Sequence, residues 1–176
     1  MQACDKINEM ISASAINARL DELAIEIDAE FAGQNVIIIC VLRGAMMFMS
    51  DMVRRLNFSM EIDFLQLKSY YSTSSSGEIE LIKDVGDIAG KHVLVFEDIV
   101  DTGHTLQFIL QHLAAKNPAR LKTCALLDNP ARRQIAGIAP DFTGFAIPNK
   151  FVVGYGLDYN EKYRNLSYIA TINGGK

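Results

Sequence analysis

What this sequence lacks narrows its function before any motif is read. There is no Cys-x-x-Cys pair, and the three cysteines, Cys4, Cys40 and Cys124, are odd in number and far apart. A disulfide framework and a cysteine zinc site are therefore not expected. Cys40 and Cys124 fall in apolar runs and read as buried free thiols of a reducing compartment. No long apolar run exists: the longest, 36–42, is far short of the ~20 residues that cross a bilayer. The N-terminal stretch carries Asp5, Lys6 and Glu9 where a signal peptide would be apolar, so none is expected. Positive charge is not in excess either. Seventeen Lys and Arg against 21 Asp and Glu give a net charge of −4 and a pI of about 5.4, a poor match to a nucleic-acid backbone. These absences describe a cytoplasmic protein with no membrane and no nucleic-acid partner.

What is present is a chain of 176 residues, 49% of them hydrophobic, enough for one domain with a sizeable core. No repeat and no linker divides it, so 1–176 is read as a single domain. The stretch that organises it is Val93-Leu94-Val95-Phe96-Glu97-Asp98-Ile99-Val100-Asp101-Thr102-Gly103-His104-Thr105. An apolar, partly β-branched run predicts a strand buried on both faces. Two acids, then a third, lead into a turn of small hydroxyl residues, and Leu106, Ile109, Leu110 and Leu113 then recur at helical spacing. Ordinary capping explains part of this, with Asp101 or Thr102 as N-cap of the helix. It does not explain three carboxylates so close together, which repel one another unless a cation or substrate holds them. A strand that ends in acids and opens a helix through Thr and Gly is a site for phosphate and sugar, because the first N–H groups of the helix point at the anion.

The rest of the chain alternates in the same way. Ile16, Leu20, Leu23, Ala24 and Ile27 predict an amphipathic helix over 14–31, ended near Gly33. A central strand over 36–42 runs into Arg43-Gly44, and a second helix is predicted over 46–56. A strand over 60–68 is followed by the hydroxyl-rich 69–77, whose composition predicts a mobile loop between antiparallel strands, the second over 78–82. Further strands are predicted over 121–127, 142–145 and 151–153, with 131–140 irregular and 154–176 only weakly periodic. Strands alternating with helices indicate an open, largely parallel α/β sheet.

The central stretch resembles the phosphoribosyl-diphosphate signature of the type I phosphoribosyltransferases. Leu42-Arg43-Gly44, Leu67-Lys68-Ser69-Tyr70, Leu126-Leu127-Asp128 and Lys150-Phe151-Val152-Val153-Gly154-Tyr155-Gly156-Leu157-Asp158-Tyr159-Asn160 narrow the resemblance to the hypoxanthine-guanine phosphoribosyltransferases. It implies a central parallel sheet flanked by helices, a flap at about 69–78 and a purine-binding hood drawn mainly from about 128–176. It also implies a purine salvage reaction. The phosphoribosyl group of phosphoribosyl diphosphate passes to N9 of hypoxanthine or guanine, giving IMP or GMP and diphosphate, with Mg²⁺ as cofactor and a homodimer or homotetramer as the assembly.

Residue by residue, the resemblance assigns Asp101 as general base near purine N7. Thr102, Gly103, His104 and Thr105, with Asp101, cradle the 5′-phosphate. Glu97 and Asp98 lie by the ribose and the metal's water shell, and Asp158 is a further metal ligand beside the base. Leu42, Arg43 and Gly44 form the diphosphate loop, whose peptide before the basic residue is cis in relatives, and Arg164 is a second diphosphate contact. Ser69 and Tyr70 lie in the flap, which shields the reacting centre from water. Phe151 stacks on the purine, with Lys150, Val152 and Asn129 around its edge; core packing is the alternative for Phe151.

One departure stands out. Relatives commonly place Lys where this chain has Asn129, and that Lys donates to purine O6. A neutral amide presents a donor or an acceptor and forms weaker bonds than a charged donor, so weaker 6-oxopurine selectivity is expected unless Arg132 or Arg133 supplies the cation. Two other readings keep the signature: a regulator that senses phosphoribosyl diphosphate, and a transferase for another base. The first is opposed by Asp21, Glu22, Glu26, Asp28 and Glu30 on the first helix, a poor nucleic-acid face. The second is opposed by the segment from Phe151 to Asp158.

Overall fold

The computed structural model describes residues 6–70 and 78–173. Its centre is a six-stranded sheet in the order β4-β3-β2-β5-β6-β7, formed by β2 (Asn35–Leu42), β3 (Ser59–Tyr70), β4 (Glu78–Lys83), β5 (His92–Val100), β6 (Arg120–Asp128) and β7 (Phe142–Ala146). All neighbours are parallel except β3 and β4. The antiparallel pair is the one predicted to flank the hydroxyl-rich loop. The loop itself, 71–77, and the side chains of Ser69 and Tyr70 lie outside the described residues.

The continuous apolar strands are explained by two cores, one on each face of the sheet. Successive strand residues point to opposite sides. Ile38, Cys40, Leu94, Phe96, Cys124 and Leu126 therefore pack against helix α1 (Ala13–Glu30) and helix α2 (Met46–Val53), through Leu20, Leu23, Ile27, Phe48 and Met52. Ile37, Ile39, Val41, Val93 and Val95 pack against Ile109 and Leu113 of α3 (His104–Ala114). Each such side chain, fully buried, contributes roughly 1.5–3 kcal/mol. Cys40 and Cys124 are buried and free, as expected; burial first, and the acids Glu97 and Asp98 second, push the Cys40 thiol up to about 12. Helix α1 starts at a Ser12 cap whose side chain accepts from Ala15 N–H.

Helix α2 ends one turn before its predicted limit. After Val53 the chain tightens, with Arg55 N–H donating to the Met52 carbonyl three residues back. The larger difference from the sequence reading is a second sheet. β1 (Lys6–Ile11), β9 (Ile169–Asn173) and β8 (Val152–Val153) form an antiparallel sheet in the order β1-β9-β8. The N-terminal strand thus joins the C-terminal one, with Ile7 opposite Ile172 and Asn8 opposite Thr171. This small sheet stands over the C-terminal edge of the large one, the edge at which open α/β sheets bind ligands.

Candidate functional site

Three cavities meet at that edge, and the strand β5 supplies their common wall. β2 pairs with β5 only as far as Cys40 opposite Phe96, and the chain then leaves the sheet through a cis peptide between Leu42 and Arg43. Beyond Phe96, β5 is therefore unpaired on the β2 side, although it runs on to Val100. Glu97 and Asp98 both line the open space this creates. Adjacent strand residues ordinarily point to opposite faces, and the early end of the β2–β5 pairing lets both border one opening. Burial first, and the charge of Asp98 second, hold the Glu97 carboxyl well above its ordinary value, and Glu97 is only 5% exposed. Burial also raises the Asp98 carboxyl, against the hydrogen bond it accepts from Ile99 N–H at 2.8 Å and the nearby Arg164 charge.

The first cavity, about 410 Å³, is lined by Leu42, Arg43, Gly44, Glu97, Asp98, Thr105, Asp158 and Arg164. Glycine is required at 44 by close approach, because a Cβ there would lie 1.6 Å from Asp98 Oδ2. The Arg43 guanidinium donates to Glu161 at 2.9 Å. Arg164 donates to the Gly156 carbonyl at 2.8 Å and pairs with Asp158 at 2.6 Å, leaving its buried Nε without a partner. This is a cationic pocket framed by acids, suited to a polyanion carried with a divalent cation.

The second cavity, about 230 Å³, lies at the start of α3 and is lined by residues of 97–106, including Asp101, Thr102, Gly103 and Thr105. The predicted cap is corrected here. Neither Asp101 nor Thr102 caps the helix; the N-cap is Gly103, at φ 94°, with no side-chain cap. That left-handed conformation favours glycine, and it leaves the first N–H groups of α3 without a side-chain acceptor, the arrangement that receives an anion. His104 begins the helix, but its ring is turned to Gln134, with Nε2 3.1 Å from Oε1, and it does not line this pocket.

The third cavity, about 390 Å³, is lined by Asp98, Ile99, Asp101, Asn129, Arg132, Lys150, Phe151, Val152, Leu157 and Asp158. Phe151 is 46% exposed and meets Tyr159 edge-on at 5.6 Å. It is not a core residue, and it offers a face on which a flat ring can lie. Asn129 is 2% exposed and its Oδ1 is buried with no partner, an unmet acceptor of the kind a ligand satisfies. Arg132 pairs with Asp101 Oδ2 at 3.1 Å, while Asp101 Oδ1 is buried and unpartnered. Arg133 does not line this cavity and pairs with Asp128. Asp98 lines all three cavities, Asp101 the second and third, and Asp158 the first and third. The structure thus brings together every described residue assigned to the site, with the side chains of His104, Ser69 and Tyr70 as the exceptions stated above. Sequence reasoning missed Gly156 and Glu161. Gly156 approaches the Gly44 carbonyl so closely that a Cβ would lie 2.0 Å from its oxygen; its one visible signal is the Gly-x-Gly spacing of Gly154 and Gly156. A more voluminous cavity, about 500 Å³, opens at the opposite edge of the sheet around Glu61, Lys91 and His92, away from every acid discussed here.

The donor set suits Mg²⁺. Among the described residues no three acidic, His or Cys side chains form a closed metal cage, and Mg²⁺ ordinarily takes one or two carboxylates, substrate phosphates and water. Glu97, Asp98 and Asp158 around the first cavity offer that partial set.

Comparison with known proteins agrees with this geometry. The phosphoribosyl transferase domain matches residues 8–160. The chain is 40% identical over 171 residues to the hypoxanthine phosphoribosyltransferase of Haemophilus influenzae, covering 94% of this chain and 95% of that one. It is 42% identical over 165 residues to the bifunctional protein TilS/HprT of Listeria innocua, covering 93% of this chain but only 25% of that longer protein. The crystal structure of a hypoxanthine-guanine phosphoribosyltransferase from Bacillus anthracis superposes with a TM-score of 0.88 at 39% identity, over 96% of this chain and 99% of that one. On these matches the chain belongs to the phosphoribosyl transferase family and, within it, to the hypoxanthine-guanine phosphoribosyltransferases.

Proposed function

We propose that the protein transfers the 5-phosphoribosyl group of phosphoribosyl diphosphate to N9 of hypoxanthine or guanine, releasing IMP or GMP and diphosphate. The observation that carries this reading is the meeting of the three cavities at Asp98, Asp101 and Asp158. The diphosphate lies against Arg43, Gly44 and Arg164, and the 5′-phosphate at the start of α3. The base lies on Phe151, with Lys150, Val152 and Asn129 at its edge. In the reaction the bond from C1′ to diphosphate breaks, N9 bonds to C1′, and the purine's N7 proton passes to Asp101. Asp101 Oδ1 has no partner in the protein, so it is the free acceptor for that proton. Positive charge that develops on the ribose faces Glu97 and Asp98, by analogy with glycoside cleavage. Asp158 would hold Mg²⁺, with Glu97 and Asp98 beside its water shell, and the ion would supply charge neutralisation for the leaving diphosphate.

Arg132 restores the cation that Asn129 lacks. It lines the base cavity, and Arg133 does not. Its exposed pairing with Asp101 exchanges for purine O6 at little cost, since such pairs are worth about 0.2–1 kcal/mol. The test is to incubate the purified protein with phosphoribosyl diphosphate, Mg²⁺ and, in turn, hypoxanthine, guanine, xanthine, adenine and uracil, and to separate the nucleotides formed. IMP or GMP is the expected product. Product from uracil or adenine alone, or no turnover with any base, overturns the reading.

A further inference from the structure

The turn that receives the phosphate has no side-chain cap, and its rigidity comes from elsewhere. A strap formed by 128–135 lies along it. Asn129 N–H donates to the Val100 carbonyl at 2.9 Å, and Gln134 N–H to the Thr102 carbonyl at 2.9 Å. The Gln134 side chain holds His104, and Arg132 holds Asp101. Gly103 is backed by Arg133: a Cβ on the glycine would lie 3.0 Å from Arg133 Cδ and 3.5 Å from both Nη1 and Ile135 Cβ. The residues of 132–135 thus engage every residue of 101–104.

Within the strap, Arg133 is distinctive. Its side chain is 13% exposed, and its partner Asp128 is 16% exposed. Asp128 accepts from Nη2, while Nη1 is buried with no acceptor. A guanidinium is charged at any physiological pH, so a largely buried ion pair with one guanidinium donor unused lies behind Gly103, at the N-terminal end of α3. Arg133 does not line the phosphate cavity, so it acts through the turn.

We propose that Arg133 is a positioning residue for phosphate binding, setting the shape of the 101–104 turn from behind. The proposal rests on the assignment of that cavity to the 5′-phosphate. It explains why a glycine that a methyl group would displace sits opposite a buried arginine. It also means that the segment bordering the base and the turn holding the phosphate form one mechanical unit.

The test compares wild type with Arg133→Lys and with the double variant Asp128→Asn/Arg133→Gln, which removes both members of the pair and leaves no lone buried charge. Circular dichroism and melting confirm the fold. Dissociation constants are then measured by calorimetry for ribose 5-phosphate, which probes the α3 site, and for diphosphate with Mg²⁺, which probes the other pocket. The double variant is expected to bind ribose 5-phosphate about five- to tenfold more weakly, the equivalent of about one misplaced hydrogen bond in the turn, and Arg133→Lys to recover part of that loss, with diphosphate binding unchanged in both. Equal weakening of both ligands, or none, overturns the role of Arg133. Absence of ribose 5-phosphate binding by the wild type overturns the assignment of the cavity itself, and the proposal with it.

Discussion

Replacing Gly156 by alanine tests whether the diphosphate pocket is built by contact between two distant loops. Gly156 has φ 104°, a conformation that costs an L-residue roughly 1–2 kcal/mol. The added Cβ would lie 2.0 Å from the Gly44 carbonyl oxygen and 3.2 Å from its carbon. Neither atom is the end of a flexible chain, so one loop must move by more than an ångström. Two hydrogen bonds go with it: Gly156 N–H to the Arg164 carbonyl at 3.0 Å, and the Arg164 guanidinium to the Gly156 carbonyl at 2.8 Å. At about 1 kcal/mol for the weaker of such bonds, the total approaches 3–4 kcal/mol. For a chain of this length that lowers the melting temperature by roughly 6–15 °C. The function should suffer selectively, because Gly44 and Arg164 both border the diphosphate pocket while Phe151 and Asn129 do not. The assay is thermal melting together with KM for phosphoribosyl diphosphate and for hypoxanthine. KM for the former should rise at least tenfold and that for the latter far less.

Gly90→Ala is the control. Gly90 also has a positive φ, 68°, but nothing lies within 4 Å of its Cβ position. It should lose about 1 kcal/mol of stability and no activity. A Gly156→Ala protein that melts within about two degrees of wild type, or that matches Gly90→Ala in both readouts, would refute the claim that this approach shapes the pocket.

Other expectations follow from the same geometry. Because burial raises the Glu97 carboxyl above its ordinary 4.5, its contribution to stability is complete below that value and is lost as pH rises toward the folded value. Glu97→Gln should therefore grow more stable than wild type with rising pH, by up to about 1.4 kcal/mol per unit. Urea unfolding in metal-free buffer between pH 5 and 8 reads this, and parallel curves would contradict it. Asp101→Asn should lower kcat by roughly 10²–10⁴ while changing the dissociation constant for phosphoribosyl diphosphate little; equal losses would make Asp101 structural. Because Arg132 already supplies a cation to the base cavity, Asn129→Lys should leave kcat/KM with hypoxanthine nearly unchanged, and a several-fold rise through the added charged donor would show that Arg132 does not fill that need.

Much of the fold was legible because its strands are buried on two faces and its helices on one. The runs over 36–42 and 93–96 have no polar residue to hide, and the spacing of Ile16, Leu20, Leu23 and Ile27 admits one periodicity. The small sheet was not legible. β1 reads Lys-Ile-Asn-Glu-Met-Ile, and its strand character is fixed by pairing with β9 at the other end of the chain. No local pattern carries that information. The same limit applies in the site. Residues that touch substrate by the family resemblance could be named one by one, but their partners could not. Glu161 beside Arg43, Arg132 beside Asp101, and Gly156 against Gly44 are contacts between segments far apart in sequence. The cap was misread for a different reason. Asp101 and Thr102 are good capping residues, yet Gly103 takes the position because the turn is held by the strap and needs no side-chain oxygen of its own.

The ion pairs divide by burial into two groups with different uses. Arg43 with Glu161, Arg132 with Asp101 and Arg164 with Asp158 all border the pockets, and their side chains retain from a quarter to two thirds of their exposure. Such pairs are worth little against water and salt, so a polyanionic substrate replaces the carboxylates without a large penalty. Arg133 with Asp128 is the opposite case, more shielded on both sides at 13% and 16% exposure, so breaking it costs more than breaking an exposed pair. That pair has no reason to exchange during turnover. A site that must accept and release charged ligands needs cations of the first kind, and it needs a frame that does not yield as they change partners. The pairs at the pocket rims meet the first requirement, and the shielded pair behind the 101–104 turn meets the second.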